Sequence, residues 1–251
     1  MLPPEVLDRI VDYLYDDNRS LGACALASRA FLPTARYHRF NELRPKFFGR
    51  YGHTLISLVA DCPDLARSIS ALSLFAPEDH PTDQMRLLQL LPALSTLYLR
   101  DDGISAISSI KPCAQGLRKL DLDLYWLPAS RRIVEAISWL PALEELYLSA
   151  KLKYPGVDAD FDPNVDNYPP PPRLHKVCFR REGFIGAIHK WLMSRDLPVV
   201  FAFQEVIEDY DDSIGFMRRV EPFSYAIQEL AITFRASGGT RRALSRLTLR
   251  N

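Results

Sequence analysis

Apolar positions in the first forty residues recur at helical spacing. Val6, Leu7, Ile10, Val11 and Leu14 share one helical face, with Glu5, Asp8, Arg9 and Asp12 opposite. Pro3 and Pro4 stand at the start, where a missing N–H costs the helix no hydrogen bond. Residues 16–20 (Asp-Asp-Asn-Arg-Ser) break the pattern, and Ser20 is a candidate N-cap for the next helix. That second, short helix is predicted through Leu21, Cys24, Ala25 and Leu26 toward Phe31. Pro33 interrupts, and a third helix carries Ala35, Tyr37 and Phe40. So small a unit cannot bury all this apolar surface alone, so part of it must meet the rest of the chain or another protein.

Farther along, the pattern becomes Leu-x-x-Leu-x-Leu. It stands at Leu94–Leu99, Leu117–Leu122 and Leu143–Leu148, with weaker copies from Ile69, Leu174, Ile227 and Leu244. Successive starts are 25, 23, 26, 31, 53 and 17 residues apart. The 53 is about two repeats, and Leu197–Phe203 is the candidate middle copy. A period near 25 with this core matches the leucine-rich repeat, in which each copy adds one short strand to a parallel sheet. One repeat cannot cover its own apolar face, so copies stack into a solenoid. Helical apolar spacing in Met85–Leu91, Ile104–Ile110, Arg131–Leu140 and Phe184–Met193 fits the arms between strands. The Asn that usually follows the strand is replaced by Asp102, Tyr125 and Lys151, which implies irregular repeats. The fold class is therefore α/β: a small helical unit at 1–45 and an irregular repeat region at 46–251 with a curved parallel sheet.

Strand alternation assigns the faces. The second and third Leu-type residues of each repeat point to the core. Their neighbours point to the open sheet: Thr96, Tyr98 and Arg100; Lys119, Asp121 and Asp123; Glu145, Tyr147 and Ser149; Lys176, Cys178 and Arg180. Tyr and Arg are favoured interface anchors. Tyr98, Arg100, Asp121, Asp123, Tyr147 and Arg180 are accordingly the candidate target-binding residues. From Arg235 to Arg250 five arginines and no acid occur, around a final strand that closes the sheet and leaves an edge open. Beside that edge they are solvated charges or a contact for an acidic or phosphorylated target.

Composition narrows the function. Of 251 residues, 47% are hydrophobic, which excludes a disordered chain. Thirty-one basic residues balance 31 acidic ones, so no general nucleic-acid binding is expected. No run of about 18 uncharged apolar residues marks a membrane span, and Met1–Glu5 opens no secretory signal. Cytoplasmic or nuclear residence is therefore expected. Cys24, Cys62, Cys113 and Cys178 read as reduced, mostly buried thiols. Phosphate-loop, dinucleotide, zinc-protease and nucleophile-elbow motifs are all missing, and the five histidines are scattered. Catalysis, cofactors and metals are not expected. Residues 155–172, acidic and then Pro169–Pro172, read as a stiff polyproline loop inserted between repeats, with docking into an aromatic groove as the alternative, and the acidic residues of 205–212 as a solvated turn.

Leu2-Pro3-x-Glu5, then Ile10 and Leu14, then Leu21-x-x-Cys24-x-Leu26-Ala27-x-Arg29-x-Phe31 resembles the F-box motif. The flanking Leu32-Pro33-x-Ala35-Arg36 and Phe40 are most similar to the F-box proteins of mushroom-forming fungi. Ala27 and Phe31 stand where the family usually has Val and Trp, and the first inter-helix loop is longer and more acidic. The resemblance implies docking on the Skp adaptor of a cullin–RING ubiquitin ligase, with the repeat region presenting a target protein. It implies that Leu2, Pro3, Val6, Ile10, Leu14, Leu21 and Leu26 form the docking interface and its support. The alternative is a leucine-rich interaction scaffold without a ubiquitin role, its helices serving as an end cap. Exposure of the Leu2–Pro3–Ile10 surface discriminates the two.

Overall fold

The computed structural model describes residues 3–44, 48–76, 81–101, 110–111, 115–124, 130–150, 168–180, 188, 191–192, 200–207, 227–235 and 241–248. Three helices open the chain: α1 (Pro4–Asp12), α2 (Asn18–Ala27) and α3 (Leu32–Phe40). The N-cap of α2 is Asp17 and not Ser20. The Asp17 carboxylate accepts the Arg19 and Ser20 N–H groups, and the Ser20 hydroxyl donates to it at 2.6 Å. These bonds, led by that of the Ser20 hydroxyl, hold the Asp17 carboxyl below its ordinary range. Pro33 does not interrupt; it lies in the first turn of α3, where its fixed φ suits the helix. Val11, Leu21 and Ala35 form a small core, flanked by Leu14, Cys24, Ala25 and Phe31. Polar contacts tie α1 to α3: the Thr34 hydroxyl donates to Asp8, and His38 Nε2 lies 2.7 Å from Asp12 Oδ1.

Among the described residues nine strands form one sheet in chain order: β1 (Glu42–Leu43), β2 (Ala71–Ala76), β3 (Thr96–Asp101), β4 (Lys119–Leu124), β5 (Glu145–Ala150), β6 (Lys176–Arg180), β7 (Val200–Ile207), β8 (Ile227–Arg235) and β9 (Arg241–Thr248). The first seven pairings are parallel. The last, β8 with β9, is antiparallel, which corrects the wholly parallel expectation. Only five positions separate Arg235 from Arg241. A parallel crossover needs a dozen or more residues, so a connection this short permits only a hairpin. β1, inside the first 45 residues, already belongs to the sheet, and β7 supplies the degenerate copy expected near Leu197–Phe203.

Further helices among the described residues include α4 (Phe48–Asp61), α5 (Pro63–Ser68), α6 (Pro81–Gln89) and α7 (Ser130–Ser138). Those at 81–89 and 130–138 match expected arms; α4 and α5 were not anticipated. In the other two expected arms, Ile110 is buried, and Ile188, Trp191 and Leu192 are helical and buried.

Register stacks the apolar rows. Leu72, Leu97, Leu120, Leu146, Val177 and Phe201 are direct neighbours on successive strands, and so are Leu74, Leu99, Leu122, Leu148 and Phe179. All are buried in one continuous core. Leu91-Pro-Ala-Leu94 and Leu140-Pro-Ala-Leu143 each close a turn before their strand, with Leu94 N–H donating to Leu91 O and Leu143 N–H to Leu140 O. Pro stands at the second position, where its fixed φ favours such a turn.

A backbone ladder then joins one repeat to the next. The carbonyls of Asn41, Ser70, Ser95, Arg118 and Glu144 each accept two consecutive N–H groups from the following repeat, at 70–71, 95–96, 118–119, 144–145 and 175–176. It satisfies at the strand entrance what an Asn ladder satisfies elsewhere; Asp102, Tyr125 and Lys151 lie outside the described residues.

The end of the proline segment is packed rather than a free loop. Pro170 and Pro171 are buried, Tyr168 lies against the core, and Trp191 Nε1 donates to the Tyr168 carbonyl at 2.6 Å. The preceding acidic residues, 208–212 and Cys113 lie outside the described residues; Glu205 lies in β7, so the stretch expected as a turn at 205–212 is strand through Ile207. Cys24 is half-buried and Cys178 buried, but Cys62 is exposed at the α4–α5 junction, contrary to expectation. Among the described residues no helix is long and apolar enough to cross a membrane.

Candidate functional site

Two surfaces carry the candidate residues. The first is the helical unit. Among the described residues eight large hydrophobic side chains are exposed, and six of them lie between positions 6 and 37: Val6, Ile10, Tyr13, Tyr15, Leu26 and Tyr37. Ile10 is 46% exposed and Leu26 92%. Pro3 is exposed, Leu14 is half-buried, and Leu2 lies outside the described residues. Leu21 is fully buried at the centre of the small core, so it supports the unit and is not a contact. The sequence could not separate these roles, because Val6, Ile10, Val11 and Leu14 share one apolar stripe. That stripe is wider than the strip α3 covers.

The second surface is the outward face of the sheet. The register aligns three rows across β3–β6: Thr96, Lys119, Glu145 and Lys176; Tyr98, Asp121, Tyr147 and Cys178; Arg100, Asp123, Ser149 and Arg180. Tyr147 is the hub. Its hydroxyl donates to Glu145 Oε2 at 2.9 Å, and Lys119 Nζ, Arg180 Cζ and Lys176 Nζ lie 4.7, 4.8 and 5.7 Å from its ring centroid. Cations over an aromatic face are attracted by its quadrupole. Burial, then the bond to Glu145, pushes the Tyr147 phenol above its ordinary pKa. Burial works to raise the Glu145 carboxyl, but the Tyr147 bond and the charges of Lys119 and Lys176 prevail and hold it low.

Asp121, Ser149 and Cys178 are buried, which corrects the expectation that the whole face is open. The long side chains around these short ones arch over them. Arg180 reaches diagonally across Tyr147 to place Nη1 2.7 Å from Asp121 Oδ2. Burial raises the Asp121 carboxyl above its ordinary pKa, and the Arg180 charge only partly offsets this.

Beside this cluster a pocket of about 470 Å³ opens over β1–β6. Tyr98, Arg100, Asp121, Asp123 and Arg180, five of the six candidate target-binding residues, line it together; Tyr147 lies next to it, beneath Arg180. Glu42, Arg44 and Ser73 complete the wall and were missed. Ser73 stands between Leu72 and Leu74 of the copy that starts at Ile69, where alternation turns it to the same face; for Glu42 and Arg44 the signal was spacing alone, since Glu42 pairs with Ala71, 29 residues on, close to one repeat. A two-residue strand carries too little pattern to be read.

Among the described residues no group of three His, Cys, Asp or Glu side chains is placed to hold a metal ion. The side chains of the arginines at 235–250 lie outside the described residues. No family model, curated protein or solved structure matches the chain. Fold and site together define an α/β protein with a sequentially ordered, mainly parallel sheet whose polar face holds a charged pocket.

Proposed function

We propose that this chain is a substrate receptor of a Skp–cullin–F-box ubiquitin ligase. Its helical unit docks on the Skp adaptor, and the polar face of its leucine-rich solenoid holds the target. The concentration of exposed apolar side chains on α1–α3 carries the reading. A surface that keeps Ile10 and Leu26 in water is stabilised by a partner that covers them. The receptor itself breaks no bond: it raises the effective concentration of target lysines at a ubiquitin-charged enzyme. Cytoplasm or nucleus is the matching compartment.

One observation favours the alternative of an interaction scaffold. Helix α3 packs on α5 and β1, and Phe40 and Leu43 join the large core, so the helical unit also covers that end of the sheet. An end cap would not require Pro3, Val6 and Ile10 to stay exposed, as they do.

The test is adaptor capture by a chain carrying Leu2→Ala, Pro3→Ala and Ile10→Asp. Ile10 is half in water, so the aspartate is tolerated in the free protein. It costs several kcal/mol only when an apolar interface closes over it. Adaptor capture is lost while circular dichroism is unchanged. Undiminished capture by the folded variant refutes the receptor reading.

A further inference from the structure

We propose that the pocket over β1–β6 is an oxyanion subsite, which receives a phosphorylated or acidic side chain of the bound protein. This rests on the reading that a target meets the polar sheet face.

Three ion pairs line the pocket, and all three are oriented alike. The side chain of Arg44 is 71% exposed against 36% for Glu42, that of Arg100 53% against 24% for Asp123, and that of Arg180 36% against 11% for Asp121. The carboxylates sit deep and the guanidinium groups stand at the rim. Chain length explains the sense for the two Asp pairs: on a pleated sheet an Asp carboxylate stays near the backbone, while an Arg reaches over it. The formal charge of the lining is zero, yet an approaching ligand meets positive charge first. A lysine side chain is repelled there, and an anion is drawn in.

Hydrogen-bond capacity points the same way. A guanidinium carries five N–H donors. Arg44 spends Nε and Nη2 on a single oxygen of Glu42. Arg180 holds Asp121 end-on through Nη1, and its buried Nε has no partner. The side-on fork that makes Arg–carboxylate pairs strong is therefore unused in that pair, and a ligand meets the guanidinium groups at the rim rather than this buried nitrogen. Ser73, Tyr98 and Ser149 add hydroxyl donors to the same wall. The volume falls in the range of ligand sites, roughly 300–1,000 Å³. It holds an oxyanion together with the chain that bears it.

The experiment uses the full chain, immobilised, and degenerate peptide libraries with one fixed central residue: phosphoserine, glutamate, serine or lysine. Retention of the phosphoserine or glutamate library exceeds that of the serine and lysine libraries about tenfold or more, as expected for charge-assisted hydrogen bonds. Phosphoserine alone identifies a phosphorylated source; equal retention of glutamate identifies an acidic one. The double variant Arg44→Gln, Arg100→Gln loses the preference. Arg118→Gln, which does not line the pocket, keeps it. Equal retention of the serine library, preference for lysine, or an unchanged preference in the double variant overturns the subsite. Adaptor capture, measured separately, is retained by the double variant. Its failure in the wild-type chain sinks the receptor reading and leaves the peptide result standing.

Discussion

Leu120→Ala tests the stacked core at its middle. Leu120 is fully buried and pairs in register with Leu97 on one side and Leu146 on the other, both fully buried as well. The change removes three carbon atoms, worth roughly 2.4 kcal/mol at about 0.8 kcal/mol per buried methylene. Neighbours fixed by ladder hydrogen bonds cannot collapse far into the space. A residual cavity of about 50 Å³ adds roughly 1.2 kcal/mol at about 24 cal/mol per Å³. The expected loss is about 3–4 kcal/mol, a large part of the roughly 5–15 kcal/mol that stabilises a typical protein. Urea unfolding followed by tryptophan fluorescence reads it as a midpoint shift of about 1 M or more. Lys119→Ala, one residue earlier on the same strand but facing outward, costs under about 1 kcal/mol, because its ion pair with Glu145 is partly exposed. A Leu120→Ala cost below about 1 kcal/mol, or one no larger than that of Lys119→Ala, refutes the stacked core.

Trp191→Phe keeps most of the ring but removes the donor to the Tyr168 carbonyl, so it costs roughly 1–3 kcal/mol and loosens the proline segment, measured as faster proteolysis after residue 150. Asp121 predicts a pH effect of definite sign. Its folded-state pKa is raised, so the folded chain binds its proton more readily than the unfolded chain. Its contribution to stability therefore grows as pH falls through its raised value toward the ordinary carboxylate range. Asp121→Asn removes that gain, and wild type becomes more stable relative to the variant on acidification; a difference that is flat or reversed in sign argues against the buried carboxyl.

The helical stripes and the Leu-x-x-Leu-x-Leu period were legible without coordinates, because side-chain periodicity is a local property of backbone geometry. Starts at 69, 94, 117, 143 and 174 placed β2 to β6, and alternation placed Leu97, Leu120 and Leu146 inward. The copy from Leu244 has the same pattern, yet β9 runs antiparallel, since pattern sets which face is apolar and connection length sets direction.

The joints between repeats were not legible at all. They are made by the carbonyls of Asn41, Ser70, Ser95, Arg118 and Glu144, and every residue type carries a carbonyl, so no shared side chain marks them. Nor was Leu21 distinguishable from Leu26: both are leucines of one helix, and only the position of α3 buries the first and leaves the second in water. Asp121 is the sharpest case. Alternation correctly turned it to the polar face, but a chain of residues cannot show that Arg180, 59 positions later, closes over it. Sequence determined which side of the sheet each residue faces. Burial, charge pairing and the pocket itself were decided by which long side chains from distant strands converge above that side, and that depends on register across the sheet.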